Sequence, residues 1–288
     1  MISYSQQTEL SENYLLKKIK EFLLEDIPNG DKTSIGTVPR NAEIRAEIQA
    51  VEDLVFSGGL VINATFKNIA KIELFIAEGQ KVKSGEVIGE ITGNAIQILS
   101  RERVMLNLIQ RMCGIATNVK SFTEIADKYD VWILDTRKTT PGLRKFEKYA
   151  VTCGGGKNHR FSLSDGILIK DNHIQSAGGV TPAIQMIKEE KFNLPIELEV
   201  DYFDQIKEAL EIGVDGFLLD NMSPNKTIEA VKLIREFKSD EDIFIESSGG
   251  MTFEKFQNYL NTGINAISIG GLTHSVKSSD IRLEFKSL

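Results

Sequence analysis

One stretch of the sequence, DTRKTTPGLRKFEKYAVTCGGGKNHR (Asp135 to Arg160), carries Arg137, Lys138, Arg144, Lys145, Lys148, Lys157 and Arg160 against two acids, Asp135 and Glu147. The 288-residue chain as a whole has a formal net charge of −7. Cations gathered in one pocket repel one another unless a multiply charged anion fills it. Guanidinium forks take carboxylates bidentately, and lysine supplies a point charge. Arg137, Lys138 and Arg160, with Lys170 a little further on and His159 beside them, are therefore candidate ligands for a small polyanion. They are expected on neighbouring strands or loops, opposite the glycine turns described below. Arg144, Lys145 and Lys148 are expected on the solvated face of a helix capped by Thr140 and running to Val151, and Cys153 is expected to be buried rather than reactive.

Two acids and two glycine pairs complete the constellation. Glu199 and Asp220 close successive apolar segments; such carboxylates hydrogen-bond sugar hydroxyls or share Mg²⁺ with phosphate oxygens. Ser248-Gly249-Gly250 and Ile269-Gly270-Gly271 let backbone N–H groups approach a phosphate, aided by a following helix. The chemistry that needs all of these is the handling of a phosphorylated sugar beside a polyanionic small molecule.

The segments that must position them alternate in type from about residue 130. VWILDTRK, GILIKDNH, PIELEVD, GFLLDN, DIFIESSGG and AISIGG read as strands, and the stretches near 181–191, 202–212, 225–238 and 253–262 read as helices. Ser223 is placed to cap the third helix, with Pro224 in its first turn. Apolar strands alternating with helices imply a parallel sheet covered on its faces, and six or seven units are enough to close or nearly close a barrel. The polar groups fall at the strand ends, where such barrels carry their sites. Earlier in the chain, residues 12–24 have helical spacing. AEIRAEIQAVEDLVFSGG and KIELFIAEGQKVKSGEVIGEITG read as strands, the latter with turns at Glu78-Gly79 and Ser84-Gly85. The stretch from Ala95 to Tyr129 is helical, with Ile98, Val104, Met105, Leu108 and Ile109 facing the core.

Composition narrows the function. The acidic balance argues against a nucleic-acid or membrane-surface partner. Two cysteines, Cys113 and Cys153, are too few for a disulfide framework or zinc cluster. The first residues carry no basic-then-apolar leader pattern, and no apolar run is long enough to span a bilayer. A cytoplasmic protein with reduced thiols is the expectation.

The stretch from Asp135 to Ile174 resembles the signature of quinolinate phosphoribosyltransferases, the carboxylating nicotinate-nucleotide pyrophosphorylases. LLEDIPNGDKTS, RERVMLNLIQRMCGIAT, IELEVD, GFLLDNMSP, IESSGGM and ISIGGLTHS resemble that family in order. VFSGGL departs from the expected ending of its segment. The resemblance implies an α/β sandwich domain over 1–114, joined by the C-terminal tail 273–288. It also implies an open, about seven-stranded α/β barrel over 115–272. The implied reaction takes quinolinate and phosphoribosyl pyrophosphate to nicotinate mononucleotide, pyrophosphate and CO₂, in de novo NAD biosynthesis. Arg137, Lys138, His159, Arg160 and Lys170, with Thr136, would bind quinolinate. Arg103 would reach the pocket from the partner subunit of a homodimer, alone or assembled further as a dimer or trimer of dimers. Glu199 and Asp220 would address the ribose and a Mg²⁺ brought by the pyrophosphate. Ser248, Gly249, Gly250, Ile269, Gly270 and Gly271 would hold the 5′-phosphate, with His274 close by. Lys138, Lys170, Glu199 and Asp220 are the implied catalytic groups. Other readings of the same residues are a phosphoribosyltransferase for another heteroaromatic acid, as in molybdenum-associated relatives, a Schiff-base aldolase using Lys170, and a phosphate-sugar sensor that does no chemistry.

Overall fold

The computed structural model describes residues 2–237 and 243–286, and they fall into two compact units. The barrel unit holds the residues up to Gln6, Ser121–Thr140 and Gly156–Ser275; the sandwich unit holds Gln7–Lys120, Pro141–Gly155 and the residues from Val276. This grouping departs from the expected division: 115–120 and 141–155 pack with the sandwich, and 2–6 pack with the barrel. Lys238, Asp242 and the last two residues of the expected tail lie outside the described residues.

In the sandwich unit, the alternating residues of the first half form β1 (Glu43–Ala50), β2 (Leu54–Val55), β3 (Ala70–Leu74), β4 (Lys81–Val82) and β5 (Val87–Asn94). β1 and β3 flank β5 in antiparallel register, and β2 pairs with β4. The expected opening helix spans Glu12–Asp26, and the helix Ala95–Ala126 buries Ile98, Val104, Met105, Leu108 and Ile109 as its spacing requires. VFSGGL enters a short helix, Gly59–Thr65, instead of extending its strand.

The helix expected from Thr140 begins later, at Arg144, after a turn, and ends at Cys153. It has no solvated face at Lys148, which is fully buried within the unbroken buried run from Phe146 to Val151. Packing on every side of that run overrides the amphipathic pattern on which the expectation rested. Arg144 and Lys145 are half-buried, and Lys145 Nζ lies 4.8 Å from the centre of the Tyr14 ring. Cys153 is partly buried, and burial pushes its thiol up to about 12, so it stays protonated.

The barrel unit is built on β6 (Trp132–Leu134), β7 (Ile167–Ile169), β8 (Ile196–Val200), β9 (Gly216–Asp220), β10 (Phe244–Ser248) and β11 (Ala266–Ser268). They form one parallel sheet in the order β6-β11-β10-β9-β8-β7. A single parallel bridge from Leu134 to Lys157 adds a seventh, one-residue position beyond β6. β6 and β7 are not paired, which leaves the barrel open between Lys157 and β7. The expected helices appear as Val180–Glu190, Phe203–Ile212, Pro224–Phe237 and Phe253–Phe256, the last followed by a 3₁₀ turn. A short helix at Asp171–Ala177 was not expected. A final strand, β12 (Ile281–Lys286), pairs antiparallel with β1 in the sandwich unit. No described helix is long and apolar enough to cross a membrane.

Side chains alternate faces along a strand, so residues two apart share the barrel interior. The strand-end groups Lys170, Glu199, Asp220 and Ser248 sit two residues beyond Leu168, Glu197, Leu218 and Glu246; Leu168 is in register with Glu197 and Leu218 with Glu246, the second pair lying level with Glu199. At the other end Ile2 packs against Leu134, Phe244 and Ala266, with Tyr4 and Trp132 alongside. Gly216 makes this closure possible, since a Cβ there would lie 2.7 Å from Ile2 Cδ1 and 3.0 Å from the Phe244 carbonyl oxygen. Gly216→Ala should therefore destabilise the protein by about 1–3 kcal/mol in urea unfolding, the usual cost of overpacking. Ile2→Val in the same background should recover part of that loss.

Candidate active site

Within the barrel unit, the polar strand ends open into a cavity of about 880 Å³. Thr136, Arg137, Lys138, His159, Arg160, Lys170, Glu199, Asp220, Ser248, Gly249, Gly250, Gly270, Gly271 and His274 all line it. Two residues of the expected set do not. Ile269 is buried, and its N–H donates to the Leu134 carbonyl, so it serves the core. Arg103 is exposed on the Ala95–Ala126 helix of the sandwich unit.

The charges are distributed differently from the expectation of cations on one side and glycines on the other. β6 neighbours β11, so the loop after β6 lies against the glycine turn after β11. A Cβ on Gly270 would come 3.0 Å from Lys138 Cδ, and Thr273 Oγ1 donates to the Lys138 carbonyl at 2.7 Å. Lys138 thus belongs with the glycine end. Lys170 sits across the sheet, in contact with Glu199. The backbone N–H of Lys170 donates to His173 Nδ1 at 2.9 Å, so His173 caps the helix at 171–177 and leaves the cavity to Lys170.

Arg160 spans the open seam. It leaves the segment beyond β6, and its Nη1 donates to the Gly166 carbonyl, just before β7, at 2.8 Å. Burial, and then the like charge of Arg137, push its guanidinium below the ordinary value, partly offset by Tyr4, Glu197 and Glu199. Arginine nevertheless stays charged, so the two guanidiniums remain under mutual repulsion that an anion would relieve.

Below these groups His159 meets two glutamates, Glu197 and Glu246, to which the sequence reading gave no role. His159 Nε2 is 3.4 Å from Glu197 Oε2 and 3.5 Å from Glu246 Oε2, and both glutamates are fully buried. The Tyr4 hydroxyl donates to Glu197 at 3.4 Å, and the Tyr4 ring stacks on His159 with 4.7 Å between centroids. His159 Nδ1 accepts the Arg160 backbone N–H at 2.8 Å. That bond needs the Nδ1 lone pair, so the proton sits on Nε2 and faces the two carboxyls. Burial opposes charge on His159, but Glu246 and Glu197 outweigh it and raise its pKa. Glu246 is pushed up to about 8, first by burial and then by the Glu197 charge, so it keeps its proton near neutral pH.

His159, Glu197 and Glu246 each offer a ligand atom, all within 4.8 Å of one another. A metal there would need the Nε2 lone pair that the tautomer denies it; the proton arrangement accounts for the trio without one. Oxygen donors suited to Mg²⁺ lie higher, at Glu199 and Asp220, on the cavity wall. The glycine turn after β10 is equally constrained. Gly249 has φ +99°, and a Cβ there would fall 2.8 Å from the Asn221 backbone nitrogen, so bare backbone faces the cavity.

Glu246, with its pKa raised from 4.5 to about 8, binds a proton more tightly in the folded state. Its contribution to stability is full below its unfolded pKa and is lost as pH rises through about 8. Glu246→Gln, which mimics the protonated form, should unfold at a urea midpoint close to wild type near pH 4, below the ordinary glutamate value. It should become the more stable of the two by pH 9.

Comparison with known proteins identifies the family. Residues 115–284 match the family described as quinolinate phosphoribosyl transferase, C-terminal domain, and residues 31–113 match its N-terminal domain. The chain is 42% identical to a probable nicotinate-nucleotide pyrophosphorylase (carboxylating) of Bacillus subtilis, over 94% of this chain and 93% of that protein. It is 38% identical to the mitochondrial quinolinate phosphoribosyltransferase (decarboxylating) 2 of Nicotiana glauca, over 94% of this chain and 82% of that protein. The solved nicotinate-nucleotide pyrophosphorylase of Francisella tularensis superposes with a TM-score of 0.92 at 32% identity, over 99% of this chain and all of that one, 100%. Matched at both domains and across nearly its whole length, the chain belongs to the quinolinate phosphoribosyltransferase family.

Proposed function

We propose that the chain transfers phosphoribosyl from phosphoribosyl pyrophosphate to quinolinate with decarboxylation, giving nicotinate mononucleotide, pyrophosphate and CO₂ in de novo NAD biosynthesis. Family membership supports the reaction class. One observation carries it to this site: Arg137, Lys138, Arg160 and Lys170 share a single cavity with Glu199, Asp220 and two glycine turns.

Quinolinate carries two carboxylates, and Arg137, Arg160 and Lys170 neutralise them, with Thr136, Lys138 and the His159 ring completing the wall. The backbone of Ser248, Gly249, Gly250, Gly270 and Gly271 receives the 5′-phosphate, and His274 flanks it. The pyridine nitrogen attacks the anomeric carbon as its bond to the pyrophosphate oxygen breaks. Positive charge on the sugar is met by Glu199 and Asp220. Glu199 and Asp220 offer oxygens that would hold a Mg²⁺ brought by the pyrophosphate, and that ion would supply charge neutralisation of the leaving group. The ribosylated nitrogen is then an electron sink: the bond to the adjacent carboxylate breaks, CO₂ leaves, and the carbon takes up a proton in its place. Lys170 or Lys138 steadies that carbanion or supplies the proton.

The contact between Lys170 and Glu199 weighs against a Schiff-base aldolase, whose lysine works as a free amine. Arg103 suits a homodimer in which each cavity borrows it from the partner, since within its own chain it is exposed on the sandwich unit. We place the protein in the cytoplasm, where free thiols such as Cys113 and Cys153 stay reduced.

A CO₂-release assay with quinolinate, phosphoribosyl pyrophosphate and Mg²⁺ tests the reaction. Arg137→Ala, Arg160→Ala and Lys170→Ala should each lower kcat/KM by about 10²-fold or more, the cost of removing one partner of a buried charge pair. Wild-type kinetics in any of them would count against the site. For the dimer, Arg103→Ala and Lys170→Ala, each inactive alone, should regain about a quarter of wild-type activity when mixed and re-associated, because a two-fold dimer then rebuilds one intact cavity in half of the dimers.

A further inference from the structure

The residues up to Gln6 pack with the barrel, although some 110 residues of sandwich sequence separate them from Ser121. Ile2 closes the base of the barrel, the half-buried Tyr4 reaches the layer beneath the cavity, and the exposed Gln6 bonds the backbone of Asn158. Gln6 clamps the segment that carries the anion ligands: its Nε2 donates to the Asn158 carbonyl at 3.1 Å, and its Oε1 accepts the Asn158 N–H at 2.7 Å. From the other side Asp135 accepts the Asn158 side chain at 2.7 Å and the His159 N–H at 2.9 Å.

Tyr4 touches both anchors of Arg160. Its ring stacks on His159, whose Nδ1 holds the Arg160 backbone, and its hydroxyl reaches Glu197, which faces His159 Nε2. Tyr4 also lies directly over Gly166, where a Cβ would fall 2.5 Å from Tyr4 Cε1, and the Gly166 carbonyl holds the Arg160 guanidinium. The ring therefore packs against the groups that fix both the start and the end of that side chain.

We propose that Tyr4, with Gln6, is a positioning residue for substrate binding: it presets the Arg160 guanidinium across the open seam so that the diacid meets an ordered cation. This rests on the reading above that Arg160 binds a quinolinate carboxylate. Preordering removes a cost that binding would otherwise bear. The effect is expected at the quinolinate end, because the contacts of Tyr4 named above lie at His159, Glu197 and Gly166.

The test is steady-state kinetics of full-length Tyr4→Leu, Tyr4→Phe and Gln6→Ala, with thermal unfolding of each. Tyr4→Leu should raise KM for quinolinate about three- to tenfold, the range expected when one rotamer-rich side chain must be ordered on binding. KM for phosphoribosyl pyrophosphate should stay within about twofold. Tyr4→Phe, which keeps the ring, should restore most of the quinolinate affinity, and Gln6→Ala, at an exposed position, should show a weaker, equally selective rise. An unchanged quinolinate KM in Tyr4→Leu would overturn the proposal, as would equal rises in both KM values. If Tyr4→Leu does not fold, an unchanged quinolinate KM in Gln6→Ala overturns it. Arg160→Ala run in parallel separates the two levels. If it abolishes quinolinate binding while Tyr4→Leu is silent, only the positioning role fails; if Arg160→Ala is itself silent, the site reading fails.

Discussion

A charge taken out of water must be neutralised by a proton or an opposite charge held close, and the barrel interior is organised around that requirement. Glu197 and Glu246 face inward from neighbouring layers of an otherwise apolar sheet. One of them keeps its proton, and both face the Nε2–H of His159. Upward, the same rule pairs Lys170 with Glu199. Near the mouth the like charge of Arg137 stands beside Arg160. The barrel thus passes from apolar packing through a proton-balanced layer to a rim that carries Arg137, Lys138, Arg160 and Lys170.

Sheet topology turns this gradient into one site. The parallel register brings the strand ends to one end of the sheet, with Asp220 level with Ser248 and Glu199 level with Leu218, and the two-residue period puts Leu168 and Lys170, Glu197 and Glu199, Leu218 and Asp220, Glu246 and Ser248 on one face. Strand order then decides neighbours. Lys138 joins the glycine turn after β11 because β6 pairs with β11, and Arg160 meets β7 because nothing closes the sheet there.

The strand ends were legible in the sequence because polar groups at the ends of apolar runs stand out, and Lys170, Glu199, Asp220 and Ser248 all line the cavity. The layer beneath was not. Glu197 and Glu246 sit inside those runs; the signal was present in IELEVD, where two glutamates two apart must share a face, but only the outer one was given a role. Lys148 looked solvated on helical spacing, and its burial depends on partners that no local pattern names. Tyr4 lies 193 positions from Glu197, and a contact of that range leaves no trace in either neighbourhood. The contact grouping was not legible for the same reason: 2–6 and 141–155 pack by tertiary contact, across the chain's apparent punctuation, although the matched family domains meet at the expected boundary.

The touching pair Lys170 and Glu199 has a consequence for molecular discrimination. The cavity already contains a resident carboxylate, so a newcomer bearing a single negative group merely exchanges one ionic partner for another at that ammonium and gains little. A molecule bearing two such groups makes the same exchange and also quiets the crowded guanidiniums nearby. The pocket in this way turns away monoanions without a steric barrier, using a side chain of its own as the competitor.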